Sequence, residues 1–148
     1  MHNIILETRD FGEIEVKEED VINFYNGMYG FENYTRFVIL KENPDDDVMF
    51  LQSLENTDLS FVLIDPYSIF MNYAPNLNEE DLSELNAEKE SQLKYLVIAI
   101  IKESITDSVA NLKSPIAINP STRTAKQVIL QNSYPLRYNI VAEEDNKC

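Results

Sequence analysis

Residues 50–66 read FLQSLENTDLSFVLIDP, two apolar runs of strand length separated by Glu55-Asn56-Thr57-Asp58 and closed by Asp65-Pro66. Nothing else in the chain constrains its fold as tightly. Asn, Asp and Ser make turns through side-chain to backbone hydrogen bonds, and Pro fixes φ, so the text specifies strand, turn, strand, stop. Residues 109–119, VANLKSPIAIN, repeat the combination. Neither segment supplies a reactive group, which points to a binding protein.

The rest of the chain extends the pattern. Residues 4–16, IILETRDFGEIEV, predict a hairpin turning at Arg9-Asp10-Phe11-Gly12, where Gly12 can take a positive φ. Glu18-Glu19-Asp20 leads into a helical turn carrying Val21, Ile22 and Phe24, which Asn26-Gly27 breaks with a left-handed bend. Gly27 and Gly30 flank Met28-Tyr29, a bend that a side chain would obstruct. Residues 34–40 and 48–54 are β-branched and aromatic runs on either side of a polar loop, and 61–64 reads as a strand covered on both faces. Tyr67, Phe70 and Tyr73 are three apart, as on a short helical insert between Pro66 and Pro75.

Asn78 heads the clearest helix, with Glu79, Glu80 and Asp81 in its first turn and Leu82 and Leu85 facing the core. Residues 93–101 predict a central strand, so Ile98→Ala costs ~2–5 kcal/mol if that side chain is fully buried. Strands are also expected at 105–111, 116–119, 125–130 and 136–141. The fold class is therefore all-β or mostly β: a small closed or partly open β-barrel with one or two short helices. Closure removes the exposed strand edges. One domain over residues 1–142 is expected, followed by a frayed acidic tail at 143–148.

A formal charge of -14 repels phosphate backbones and argues against direct nucleic-acid binding, while favouring basic or mixed-charge protein partners. The single cysteine, Cys148, excludes an internal disulfide and a thiolate metal cage. Acidic residues crowd positions 7–20 where a signal peptide would need a basic and then an apolar region. The longest apolar stretch, 95–101, is far short of the roughly 20 residues needed to span a bilayer. The sole histidine, His2, and Cys148 lie at opposite ends of the chain, away from any rigid site. Ser53 and Ser60 lack a nucleophile-elbow setting. Asp45-Asp46-Asp47 lacks the alternation, the glycine and the closing glutamate of a calcium loop. The remaining enzymatic option is a carboxylate-dependent hydrolase using Glu55 and Asp58.

Several blocks in order make the chain resemble the FliW family of bacterial flagellar assembly factors over nearly its full length: TRDFGEIEV, GMYGFENYTRFVIL, FLQSLENTDLSFVLIDP, NLKSPIAIN and QVILQNSYPLRY. Matching residues are Phe11, Gly12, Gly27, Gly30, Phe31, Gln52, Ser53, Leu54, Asp65, Pro66, Tyr73, Asn111, Leu112, Pro115, Gln127 and Tyr134. Tyr29 stands where the family often has proline, Asn56 where aspartate is common, and Ala110 where a β-branched residue is usual. The resemblance implies a cytoplasmic, non-enzymatic barrel without a cofactor that binds flagellin and the translational regulator CsrA. Its implied mechanism is partner switching, with flagellin competing for the protein and so freeing CsrA.

An acidic mimic occupying an RNA-binding surface is the alternative. The oligomeric state is open, with a monomer the simpler expectation. Gln52, Asn111 and Gln127 are expected to satisfy backbone groups near turns, and the other family-motif residues to be mainly structural. Asp45, Asp46 and Asp47, with neighbouring Glu55 and Asp58, are expected to form an acidic CsrA-facing surface.

Overall fold

The computed structural model describes residues 3–141; the expected tail at 143–148 lies outside them. Strands β1 (Asn3–Thr8) and β2 (Gly12–Lys17) form the expected hairpin, with Gly12 at φ 65°. Its inner residues Ile4, Leu6, Ile14 and Val16 pack with Val21, Val38, Leu40 and Leu54 on the outside of the main sheet.

That sheet closes on itself. Strands β3 (Ile22–Phe24), β4 (Arg36–Leu40), β5 (Val48–Ser53), β6 (Ser60–Ile64) and β7 (Lys94–Ile100) follow one another antiparallel. β9 (Ile116–Asn119) pairs with the first half of β7, and β10 (Thr124–Gln127) pairs with β9 and lies parallel to β3. These seven strands complete a ring. Two short strands, β8 (Val109–Ala110) and β11 (Tyr138–Asn139), extend from the second half of β7. The chain has no helix long and apolar enough to cross a membrane among the described residues.

Two cores explain why β7 is apolar without alternation. Leu96 and Ile98 turn into the barrel with Phe24, Phe37, Leu51, Leu63 and Ile116. Tyr95, Val97 and Ala99 turn outward and are covered by Tyr73, Leu77, Leu85 and Leu130. The covering segment starts at a 3-10 turn (Pro66–Ser68) capped by Asp65, whose Oδ1 accepts the Tyr67 amide at 2.9 Å. It continues through α1 (Glu79–Glu84), where Asn78 Oδ1 accepts the Asp81 amide at 2.7 Å as the sequence predicts.

Several expectations change; among them, the strand expected at 125–130 stops at Gln127, that at 136–141 shortens to Tyr138–Asn139, and the helical insert after Pro66 ends at Ser68. Val21, Ile22 and Phe24 do not form a helical turn: the 3-10 turn stops at Asp20, and Ile22 and Phe24 join β3 because the barrel interior needs their side chains. Residues 105–107 are a 3-10 turn, leaving only Val109 and Ala110 as strand. Phe61 and Val62 are half-buried, so β6 is fully covered only at Leu63 and Ile64. Ile98 is also half-buried, unlike Leu96 and Val97 beside it.

Candidate interaction surface

The two ends of the barrel differ chemically. At the end where β6 stops and β7 begins, Ile39, Met49 and Leu96 floor a cavity of about 350 Å³ whose rim carries Lys41, Asp46, Asp47, Asp65 and Lys94. Among the described residues, ion pairs join only Arg9 to Asp10 and Lys126 to Asp81 and Glu84. The rim charges therefore face solvent unpaired with one another. Asp46 also braces its own loop, accepting the Asn43 amide at 3.1 Å.

The opposite end is built around residues 25–34. Asn26 and Gly27 take φ of 63° and 68° in the expected left-handed bend. A Cβ on Gly27 would stand 2.8 Å from the Glu32 backbone, so here a side chain is indeed obstructed. Gly30 differs, because the space around it is open and only its φ of 84° favours glycine. Met28 is buried as a peg, and Gln127 Oε1 accepts the Tyr29 amide at 3.0 Å. Tyr25, Tyr29 and Phe31 stay exposed on this braced loop, Phe31 packing edge-on against Phe61 at 5.4 Å. The Lys126 ammonium lies 5.8 Å from the Tyr25 ring and bonds Asp81 and Glu84, tying β10 to α1. Burial opposes the Lys126 charge, but the two carboxylates outweigh it and raise its pKa.

The five acidic candidates do not form one patch. Asp45, Asp46 and Asp47 precede β5, whereas Glu55 and Asp58 follow it. A six-residue strand, roughly 20 Å long, separates the two groups. Closeness in sequence misled because β5 runs the full height of the barrel. Glu55 Oε1 accepts the Thr35 and Arg36 amides at 2.6 and 3.1 Å, anchoring the start of β4. One oxygen of its carboxylate is thus engaged by backbone.

The family-motif residues occupy turns and core. Gln52 Nε2 donates to the Ser53, Thr57 and Leu59 carbonyls, leaving its Oε1 buried without a partner among the described residues. Ser53 Oγ accepts the Glu55 and Asn56 amides, and Asn111 Oδ1 those of Lys113 and Ser114. Tyr73 donates to the Leu112 carbonyl at 2.6 Å, and Tyr134 Oη accepts the Ala74 amide. Pro66 opens the 3-10 turn after β6, while the Pro115 carbonyl accepts the Val128 amide. Leu54 packs beneath the hairpin.

A second apolar surface is not read from the sequence: Ile100 and Leu136, both more than half exposed, line one cavity, and Ile101 and Ile105 are exposed in the segment that follows β7. Its signal was present, since the apolar run of β7 continues to Ile101 beyond the last strand position.

The FliW protein family matches residues 5–140. A flagellar assembly factor FliW of Bacillus pumilus is 38% identical over 130 residues, covering 88% of this chain and 90% of that protein. One from Thermoanaerobacter pseudethanolicus is 38% identical over 143 residues, covering 95% of each. A crystal structure of the flagellar assembly factor FliW superposes with a TM-score of 0.87 at 34% identity, covering 95% of this chain and 99% of that one.

Proposed function

The chain belongs to the FliW family, and from that premise we propose that it is a flagellar assembly factor that binds flagellin and antagonises CsrA by exchanging one partner for the other. The observation that carries this reading is the match across the whole barrel, both ends included, to proteins named flagellar assembly factors. Residues 1–142 act as one binding domain in the cytoplasm, without catalysis or a cofactor.

Charge supports the choice of partners. A protein at -14 is repelled by messenger RNA but attracted to a basic protein that binds it. We assign the encounter with CsrA to Asp45, Asp46 and Asp47 at the charged mouth, and place Glu55 and Asp58 at the other end as rim charges. Switching requires only that the two partners exclude each other: a coupling of ~1–3 kcal/mol changes apparent affinity about 5- to 150-fold.

The test is retention of purified flagellin and purified CsrA on the immobilised protein. Each is expected to bind alone, with added flagellin releasing bound CsrA; retention of neither overturns the proposal. The same acidity also favours an RNA mimic. Competition resolves that choice, because a mimic and RNA exclude one another on CsrA, whereas an allosteric antagonist forms a ternary complex with both.

A further inference from the structure

Strand β7 forks. Its first half pairs with β9 through Lys94, Tyr95 and Leu96 and closes the ring, while Ala99 and Ile100 pair instead with β8. Beyond the fork, the face that points into the barrel at Leu96 and Ile98 continues to Ile100 with no barrel wall opposite. Ile100 is 52% exposed and Leu136 is 61% exposed. Together with Ile98, Val109 and Arg137 they line a cavity of about 140 Å³. That is roughly the volume of five waters and enough for a branched aliphatic side chain.

The groove continues sideways. Leu63 pairs with Ile98 and Val62 with Ala99, so one further step of register sets Phe61 beside Ile100. Phe61 carries the exposed Phe31 against its edge, joining the braced loop to the same apolar strip.

Charge selects the occupant. Among the described residues that line the groove none is acidic, although the chain carries -14. Arg137 is the charged residue that lines it. Glu32 and Glu55, in the loops on the aromatic side, already accept backbone amides. We infer that the groove where β7 leaves the ring docks an amphipathic segment of a partner protein, with aliphatic side chains between Ile100 and Leu136 and a carboxylate at Arg137. This rests on the partner-binding reading and assigns it a surface of different chemistry from the acidic mouth.

The test is an NMR titration of the full, isotope-labelled chain with three blocked dodecapeptides on one amphipathic template: leucine with glutamate, leucine with lysine, and serine with glutamate. The leucine–glutamate peptide is expected to shift the amides of Ile98, Ile100, Ala110 and Arg137 and to bind at least about tenfold tighter than either control. The lysine peptide is the stringent control, because the overall charge of the protein favours it. Ile100→Ser with Leu136→Ser is expected to weaken binding about tenfold or more without lowering Tm, since both side chains are already more than half exposed. Arg137→Glu should invert the preference between the two leucine peptides. Equal binding of the leucine peptides, shifts confined to other surfaces, or variants that bind like the parent would overturn the inference. If those variants still retain flagellin and CsrA, the groove assignment falls and the proposed function stands.

Discussion

The side-chain oxygen of Gln127 accepts the backbone amide of Tyr29 at 3.0 Å across 98 positions of sequence, while its Nε2 donates to the Ser114 carbonyl. One carboxamide thus joins the aromatic loop to the turn before β9. Gln127→Ala leaves these groups without their partner and is expected to cost ~1–3 kcal/mol in denaturant unfolding, before partner affinity changes. Unchanged unfolding with lost partner binding would assign Gln127 to the interface instead.

Gly27 and Gly30 are expected to separate under the same substitution. Each occupies a positive φ, so alanine at either position costs ~1–2 kcal/mol through backbone conformation. At Gly27 the added carbon also meets backbone atoms of Glu32 and Tyr34 within 3 Å, which adds ~1–3 kcal/mol. Equal midpoint shifts for the two variants would show that the loop relaxes around the overlap.

Within β7 the inner face provides an internal comparison. Leu96→Ala, at a side chain 1% exposed, is expected to cost ~2–5 kcal/mol. Ile98→Ala should cost less, because Ile98 is only half-buried at the fork. Chemical denaturation of both variants checks the order, and the reverse order contradicts the fork.

Alkaline pH should unfold the protein through its buried phenols. Burial, reinforced by neighbouring tyrosines, pushes Tyr73 well above its ordinary pKa of 10.0, and burial with Glu90 does the same to Tyr95. A raised native pKa means that the contribution is complete below pH 10 and declines as pH rises from there toward the native value, while the unfolded chain ionises. Tyr73→Phe should lower stability by ~1 kcal/mol at neutral pH, through loss of its bond to Leu112, yet flatten the decline above pH 10. Unfolding free energy measured between pH 7 and 11 tests both signs.

Changing Asp45, Asp46 and Asp47 together to asparagine should slow CsrA association and reduce its salt dependence, with a smaller effect on dissociation, because rim charges act chiefly on encounter. Asparagine at 46 keeps an acceptor for the Asn43 amide, so the loop retains its brace. Flagellin binding is expected to change less. Stopped-flow association at two ionic strengths decides the matter, an unaltered on-rate at low salt returning these residues to plain solvation.

Local chemistry and the closed, mostly-β barrel were legible in the sequence, and which side chains meet at each end of it was not. Asn26-Gly27, Gly12 and the Asn78 cap were readable because each effect acts within a few residues. Ile22 and Phe24 were misassigned because an acidic first turn looks the same before a helix or before a strand that a distant barrel recruits. Asp47 and Glu55, eight positions apart, were grouped although β5 carries them to opposite ends. The apolar run to Ile101 is legible, but the point at which β7 changes partners and leaves Ile100 uncovered is not.

The parallel seam between β3 and β10 has a kinetic meaning. Asn23 finds Thr124, and Phe24 finds Ala125, only after about a hundred intervening residues have been synthesised. At ribosomal speeds of roughly 5–20 residues per second, that is a delay of about 5–20 seconds, in the course of which β4 to β7 are made one after another and add up to an open sheet with two unsatisfied edges. Ring closure is therefore a late event on the ribosome, and whatever the finished barrel binds becomes available in a step rather than gradually as the chain emerges.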